Sequence, residues 1–200
     1  MVKDKTLYLT TIISSITILI AIFTPFAVPY GDSTISKESQ SFVWIWGLYY
    51  LDAESFCLLR FLLINLYFTA IIAIFAIIIL ISAINLKNKK ISLGKFGEQL
   101  FICNVIQIIS MANLTVFIEY SYLFLPNLQK IMDIETAEFW YYRLPGFGYY
   151  GIFIPLMLLL YISVLVMYRK NSNFFSFAVI LAVTLFLLLF YFFFRPIFLF

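Results

Sequence analysis

The sequence predicts an all-α integral membrane protein, a bundle of five transmembrane helices beneath a small extracellular layer that can include a short β-sheet. Of its 200 residues, 64% are hydrophobic and only 12% are charged, and the mean hydropathy is +1.03. Soluble domains average about 45–50% apolar and about 25% charged residues. This composition excludes a soluble globular fold, and the high hydrophobicity also excludes a disordered chain.

Five segments are long and apolar enough to cross a bilayer, which takes about 20 residues in a helix. The first follows Lys3 and Lys5, and it lacks a small-residue cleavage site, so we expect a retained helix and not a signal peptide. The whole chain, residues 1–200, then forms one membrane domain. The predicted spans are Leu7–Val28, Leu62–Leu86, Gln99–Ser121, Gly148–Tyr168 and Phe174–Phe194.

The distribution of charge predicts the orientation of these spans. One side of the membrane receives eight of the 13 basic residues on short segments, and the two longer loops of the other side, 29–61 and 122–147, receive most of the acidic ones. By the positive-inside rule the N-terminus is cytoplasmic and the C-terminus lies outside the cell membrane. The eight are Lys3, Lys5, Lys87, Lys89, Lys90, Lys95, Arg169 and Lys170.

Several kinds of chemistry are disfavoured. Histidine, the most frequent metal ligand and general base, is absent, and Cys57 and Cys103 are too few for a four-ligand metal site. No cofactor or metal is therefore expected. No basic run indicates nucleic-acid binding. An enzyme would depend on scattered carboxylates, so it ranks below a non-enzymatic role.

The outside loops are rich in aromatic residues. In the segment 41–48, Phe42, Trp44 and Trp46 alternate with Val43 and Ile45, a period of two that predicts a short strand with Gly47 at a bulge or tight bend. The second loop offers residues 139–142 as a cover. Two interpretations stay open, an interfacial aromatic belt and a surface for protein partners. The candidate partner surface comprises Trp44, Trp46, Gly47, Tyr49, Trp140 and Tyr141.

The third span is the most polar one, and intramembrane polar groups mark helix contacts or function. Its polar residues recur every three positions, which places them on a slow spiral that suits hydrogen bonds to different neighbouring helices. Expected partners lie on the first span (Ser14, Ser15, Thr17) and on the second (Asn65, Thr69). The candidate intramembrane contacts are Asn104, Gln107, Ser110, Asn113 and Glu119.

Part of the chain resembles the claudin and peripheral-myelin-protein group of tetraspan membrane proteins. The resemblance lies in residues 46–49 (Trp-Gly-Leu-Tyr), in Cys57 and Arg60 after them, and in residues 147–151 (Phe-Gly-Tyr-Tyr-Gly). It implies a left-handed four-helix bundle with a small extracellular β-layer, used in adhesion, barrier formation or the organisation of partners. The departures are Tyr49 where the group has Trp, a missing second loop cysteine, and a fifth helix; convergence among aromatic-rich multispan proteins is the alternative.

The leading functional expectation is a non-enzymatic membrane protein that packs against partner proteins or copies of itself, through the outside aromatic surface or through the fifth helix. The alternatives are an accessory subunit of a larger membrane complex, and a small carrier with a polar cavity lined by Asn104, Gln107 and Asn113.

Overall fold

The structure, a computed structural model, describes residues 4–29, 41–46, 48–51, 55–58, 62–121, 143–170 and 174–198. Five helices account for most of these residues. They are α1 (Asp4–Ala21), α2 (Leu62–Lys87), α3 (Leu93–Ser121), α4 (Phe147–Arg169) and α5 (Phe175–Phe198).

Helices α1 to α4 form an antiparallel ring in which each helix packs against its two neighbours. Helix α1 contacts α2 and α4, and α3 contacts the same two helices from the opposite corner. Helix α5 lies outside the ring against α4 and α3. Among the described residues, α2 to α5 are long and apolar enough to cross a membrane, while α1 is an apolar helix just below that length. These four helices indicate a membrane location.

A five-stranded antiparallel sheet lies at one end of the ring, where α1 and α3 end and α2 and α4 begin. Its strand order is β4-β3-β2-β1-β5, so four strands come from the segment between α1 and α2, and one comes from the segment before α4. The strands are β1 (Pro25–Pro29), β2 (Ser41–Trp44), β3 (Leu48–Leu51), β4 (Ser55–Leu58) and β5 (Arg143–Pro145).

The predicted first span extends too far. Helix α1 ends at Ala21, and Pro25 begins strand β1 instead of continuing the span to Val28. Pro25 lacks an N–H group and cannot continue a helical hydrogen-bond ladder, whereas Ala27, Val28 and Pro29 pair with β5. The apolar run is continuous in sequence, but its last residues belong to the sheet. The other four predicted spans coincide with α2 to α5, although α3 begins six residues before Gln99.

The predicted aromatic strand is shorter than expected. Strand β2 ends at Trp44, and Ile45 and Trp46 form a turn. Val43 and Ile45 are fully buried in a core continuous with the helices, while the half-buried rings of Phe42 and Trp44 lie together, with centroids 6.3 Å apart. The expected bulge or tight bend at Gly47 and the cover at residues 139–142 fall outside the described residues. The described part of the sheet has an irregularity of register in β1, between Pro25 and Ala27.

The sheet joins the bundle through direct backbone contact between β1 and the start of α4. The Gly146 N–H donates to the Phe26 carbonyl over 2.9 Å. A Cβ atom on Gly148 would lie 2.6 Å from the Thr24 carbonyl oxygen and 2.8 Å from that of Pro25. Because backbone atoms cannot move aside as a side chain can, only glycine permits this approach.

We expect Gly148→Ala to destabilise the protein by about 1–3 kcal/mol, the cost typical of overpacking a tight contact. Thermal unfolding in detergent measures the effect. Gly94→Ala is the matched control, because a Cβ there meets its nearest neighbour, the Cβ of Lys170, at an ordinary 3.8 Å. Gly94→Ala should unfold at the wild-type temperature or above it, and equal midpoints for the two variants would contradict this account of the junction.

Candidate functional site: polar interior and aromatic sheet

Two amide side chains of α3 link this helix to both of its neighbours in the ring. The Asn104 Nδ2 donates to the Leu156 carbonyl of α4 over 3.1 Å. The Gln107 Nε2 donates to the Ile72 carbonyl of α2 over 2.9 Å. Both side chains are fully buried. Residues 104 and 107 are three apart on the helix, so their side chains diverge by about 60°, which is why they reach different helices.

Both links lie at the same depth. Leu156 is nine residues into α4 and Ile72 is ten residues into α2, which places them about 14 and about 15 Å from the sheet-side ends of their helices. The hydrocarbon core of a bilayer is about 30 Å thick. The amides therefore occupy the middle of the bundle, where water is least able to satisfy a polar group.

The remaining polar residues of α3 are arranged differently. Ser110 is buried, whereas Asn113 lies on the exposed side of α3 and donates to the carbonyl of Ile109 in its own helix. Asn113 therefore does not share a surface with Asn104 and Gln107, and the three do not line one cavity. The side chain of Glu119 lies outside the described residues.

Two of the hydroxyl groups expected to pair with α3, both on α1, bond within their own helix instead. Thr17 and Ser15 each donate to a carbonyl four residues earlier in α1, and Ser14 is buried there. Asn65 and Thr69 of α2 are also buried, but their side-chain polar atoms have no hydrogen-bond partner among the described residues. The acceptors on α2 and α4 are main-chain carbonyls, which no residue pattern could have indicated.

The sheet holds only part of the predicted partner surface. Trp44 lies beside Phe42 on the side of β2 opposite Val43. Trp46 packs against the buried core, and its indole Nε1 is buried without a hydrogen-bond partner among the described residues. Tyr49 lies on β3 opposite Val43 and Cys57 in the strand register. Gly47, Trp140 and Tyr141 lie outside the described residues, as does the side chain of Tyr49.

Tyr149 is a structural centre that the sequence did not reveal. Its ring is fully buried and packs edge-on against Phe26 of β1, with centroids 5.0 Å apart. Its hydroxyl donates to the Phe192 carbonyl of α5. One side chain therefore connects the sheet, α4 and α5. The aromatic-glycine run 147–151 was the available sequence signal for this role. Other tyrosines of the chain also lie in aromatic-rich segments, so the run did not single out Tyr149.

Charge is concentrated at the end of the bundle opposite the sheet. That end holds the start of α1, the connection between α2 and α3, and the end of α4. The basic residues described there are Lys5, Lys87, Lys89, Lys90, Lys95, Arg169 and Lys170.

Comparisons with known proteins identified no relative of this chain. No family model matches the chain. Searches of curated proteins and of solved structures also found no match.

In the part of the chain that the structure describes, no group of three or more histidine, cysteine, aspartate or glutamate residues is placed to hold a metal ion. Cys103 is buried in α3 as a free thiol. The arrangement provides helix-to-helix contacts and an aromatic surface, so these two features carry the functional interpretation.

Replacing Gln107 with leucine should destabilise the protein by about 0.6–2 kcal/mol, because it removes a hydrogen bond between helices inside the membrane. Reversible unfolding in mixed detergent–SDS micelles measures this difference. Asn113→Leu is the control, since Asn113 bonds only within its own helix. If both variants lost the same stability, the link from Gln107 to Ile72 would have no special role.

Proposed function

We propose that this chain is a non-enzymatic, multi-pass protein of the cell membrane that packs against partner proteins through the outer side of its β-sheet. The observation that carries this proposal is the two-sided character of β2. Val43 of β2, and Ile45 in the turn after it, are fully buried in the core, while Phe42 and Trp44 form an aromatic pair on the other side of the strand that is only half-buried. Aromatic residues are enriched in protein interfaces and in their energetic hot spots.

The junction with α4 strengthens this proposal. A surface that binds a partner with little entropy loss needs a fixed position, because ordering a mobile segment subtracts from affinity. The hydrogen bond from Gly146 to Phe26 and the burial of Phe26 against Tyr149 fix β1 on the bundle. Strand β2 pairs with β1, so the aromatic pair is held by the same junction.

We propose five membrane spans with the N-terminus in the cytoplasm. Helix α1 has 18 residues, a length of about 27 Å, and it packs against both α2 and α4. The basic residues at the end opposite the sheet support a cytoplasmic position for that end. The sheet would then face the outside.

The resemblance to claudin and peripheral-myelin-protein tetraspans is part of this proposal. A ring of four helices with a small β-layer at one end is the layout that the resemblance implies, and α1 to α4 with the five-stranded sheet have that layout. Helix α5, which lies outside the ring, is an addition to it. An adhesive or organising role is the function that the resemblance favours.

Photocrosslinking tests the aromatic surface. We expect p-benzoylphenylalanine at position 44, activated in native cells, to give one discrete protein adduct, and we expect Phe42→Ser to abolish that adduct. The control is the same probe at Ile180, an exposed residue of α5, which should give lipid adducts only.

Two outcomes would overturn the proposal. Lipid adducts alone at position 44 would identify Phe42 and Trp44 as part of an interfacial aromatic belt. A protein adduct at Ile180 but not at position 44 would move the partner surface to the fifth helix.

A partner that remains bound through purification in mild detergent would further identify the chain as an accessory subunit.

A further inference from the structure

A cluster of buried polar atoms in the bundle has no protein partner. We define the polar core cluster as Asn65, Thr69, Asn104 and Gln107, which are 6% exposed or less. Its unpartnered atoms are Asn65 Oδ1 and Nδ2, Thr69 Oγ1, Asn104 Oδ1 and Gln107 Oε1, none of which has a hydrogen-bond partner among the described residues. Leaving a buried polar group unpaired costs about 1–3 kcal/mol, so five such atoms in one region require an explanation.

The members of the cluster are neighbours in the bundle. Asn65, Thr69 and Ile72 lie at positions i, i+4 and i+7 of α2 and share its buried face. Gln107 donates to the Ile72 carbonyl, which places its Oε1 next to this face. Asn104 is one turn from Gln107 on α3. The α2 residues of the cluster therefore extend over about 10 Å along the bundle, whereas Asn104 lies on the side of α3 that faces α4.

Thr69 differs from other helical threonines of this chain. Thr11, Thr115 and Thr184 each donate to the carbonyl four residues earlier in their own helices, the usual way for a hydroxyl to be satisfied inside a helix. The hydroxyl of Thr69 makes no such bond. It is therefore free to bond a group between the helices.

The mixture of donors and acceptors in the polar core cluster defines what kind of molecule or ion could bind there. Asn65 contributes an amide nitrogen, a donor, together with an acceptor oxygen, and an exchange of its two amide ends would not remove the donor. A bare cation would satisfy the oxygens only and would leave this nitrogen unpaired. It also could not contact atoms spread over about 10 Å. Water both donates and accepts, and buried water typically makes about three hydrogen bonds to such groups.

We propose that the polar core cluster is a hydration site inside the bundle, extending from the first turn of α2 to mid-depth, in which ordered water joins Asn65 and Thr69 of α2 to Gln107 and Asn104 of α3. This site is independent of the proposed partner surface. It requires neither a charged side chain nor a metal. Water at this site also hydrogen-bonds the side-chain oxygens of Asn104 and Gln107, which stay unpaired when their nitrogens donate to α4 and α2.

Water-to-amide magnetisation transfer by NMR tests the site in the intact protein. With asparagine labelled in ¹⁵N and the protein in micelles of deuterated detergent, we expect the side-chain NH₂ of Asn65 to show a dipolar cross-peak with water. Asn88, exposed in the turn after α2, is the positive control. Asn113, on the outer face of α3, is the negative control. Asn65→Leu identifies the Asn65 signal, and Thr69→Val should weaken it.

Unfolding measurements give a second, independent readout. In a hydrated site, Asn65→Leu and Thr69→Val should both lower the unfolding midpoint, because each removes partners of the bound water. In a dry core, the same changes would remove unsatisfied groups and raise the midpoint.

The proposal is overturned if Asn65 shows no more transfer from water than Asn113, or if both variants are stabilised. A midpoint that shifts when choline replaces Na⁺ or K⁺ would also overturn it, in favour of a cation site. If Asn65→Leu fails to fold, the wild-type cross-peak and the Thr69→Val variant still decide between these outcomes.

Discussion

The contact between β1 and the first turn of α4 determines how the rest of the molecule is arranged. The backbone of Gly148 lies against the carbonyls of Thr24 and Pro25, and the Gly146 N–H bonds to Phe26. This contact turns the chain away from α1 into the sheet and places Phe26 on the buried ring of Tyr149. Because the Tyr149 hydroxyl also bonds to α5, the same place connects the sheet to the outermost helix.

The bundle has a second organising feature at mid-depth, where α3 bonds to both of its neighbours. Because lipid tails are as apolar as the helix surfaces, there is no hydrophobic driving force for helices to associate inside the bilayer. Packing and hydrogen bonds therefore specify which helices meet. The side-chain amide nitrogens of Asn104 and Gln107 each donate one hydrogen bond to a neighbouring helix. Their remaining oxygens, with Asn65 and Thr69, are the groups that the proposed water would satisfy. The apolar exterior of the bundle and its polar centre thus have separate roles.

Hydropathy predicted four of the helices closely, because a bilayer demands long apolar segments. It failed at Pro25–Val28, where strand residues are as apolar as the helix before them, and only the prolines marked the change. The aromatic alternation at 42–44 predicted part of a strand, but its position in a five-stranded sheet depends on distant segments such as β5. Polar spacing singled out Asn104 and Gln107, yet their acceptors are backbone carbonyls of Leu156 and Ile72, which carry no sequence signal.

We infer that the sheet and the bundle form one cooperative unit through the β1–α4 junction. Hydrogen–deuterium exchange of the protein in detergent tests it most directly, since amides that open together exchange with the same free energy. If they open as one unit, the β-sheet amides of Ala27 and Val28 and the helical amides of Ile152 and Phe153 should be equally protected. Exchange of the β1 amides that is about a hundredfold faster, a difference of about 2.7 kcal/mol, would mean that the sheet opens alone and would contradict it.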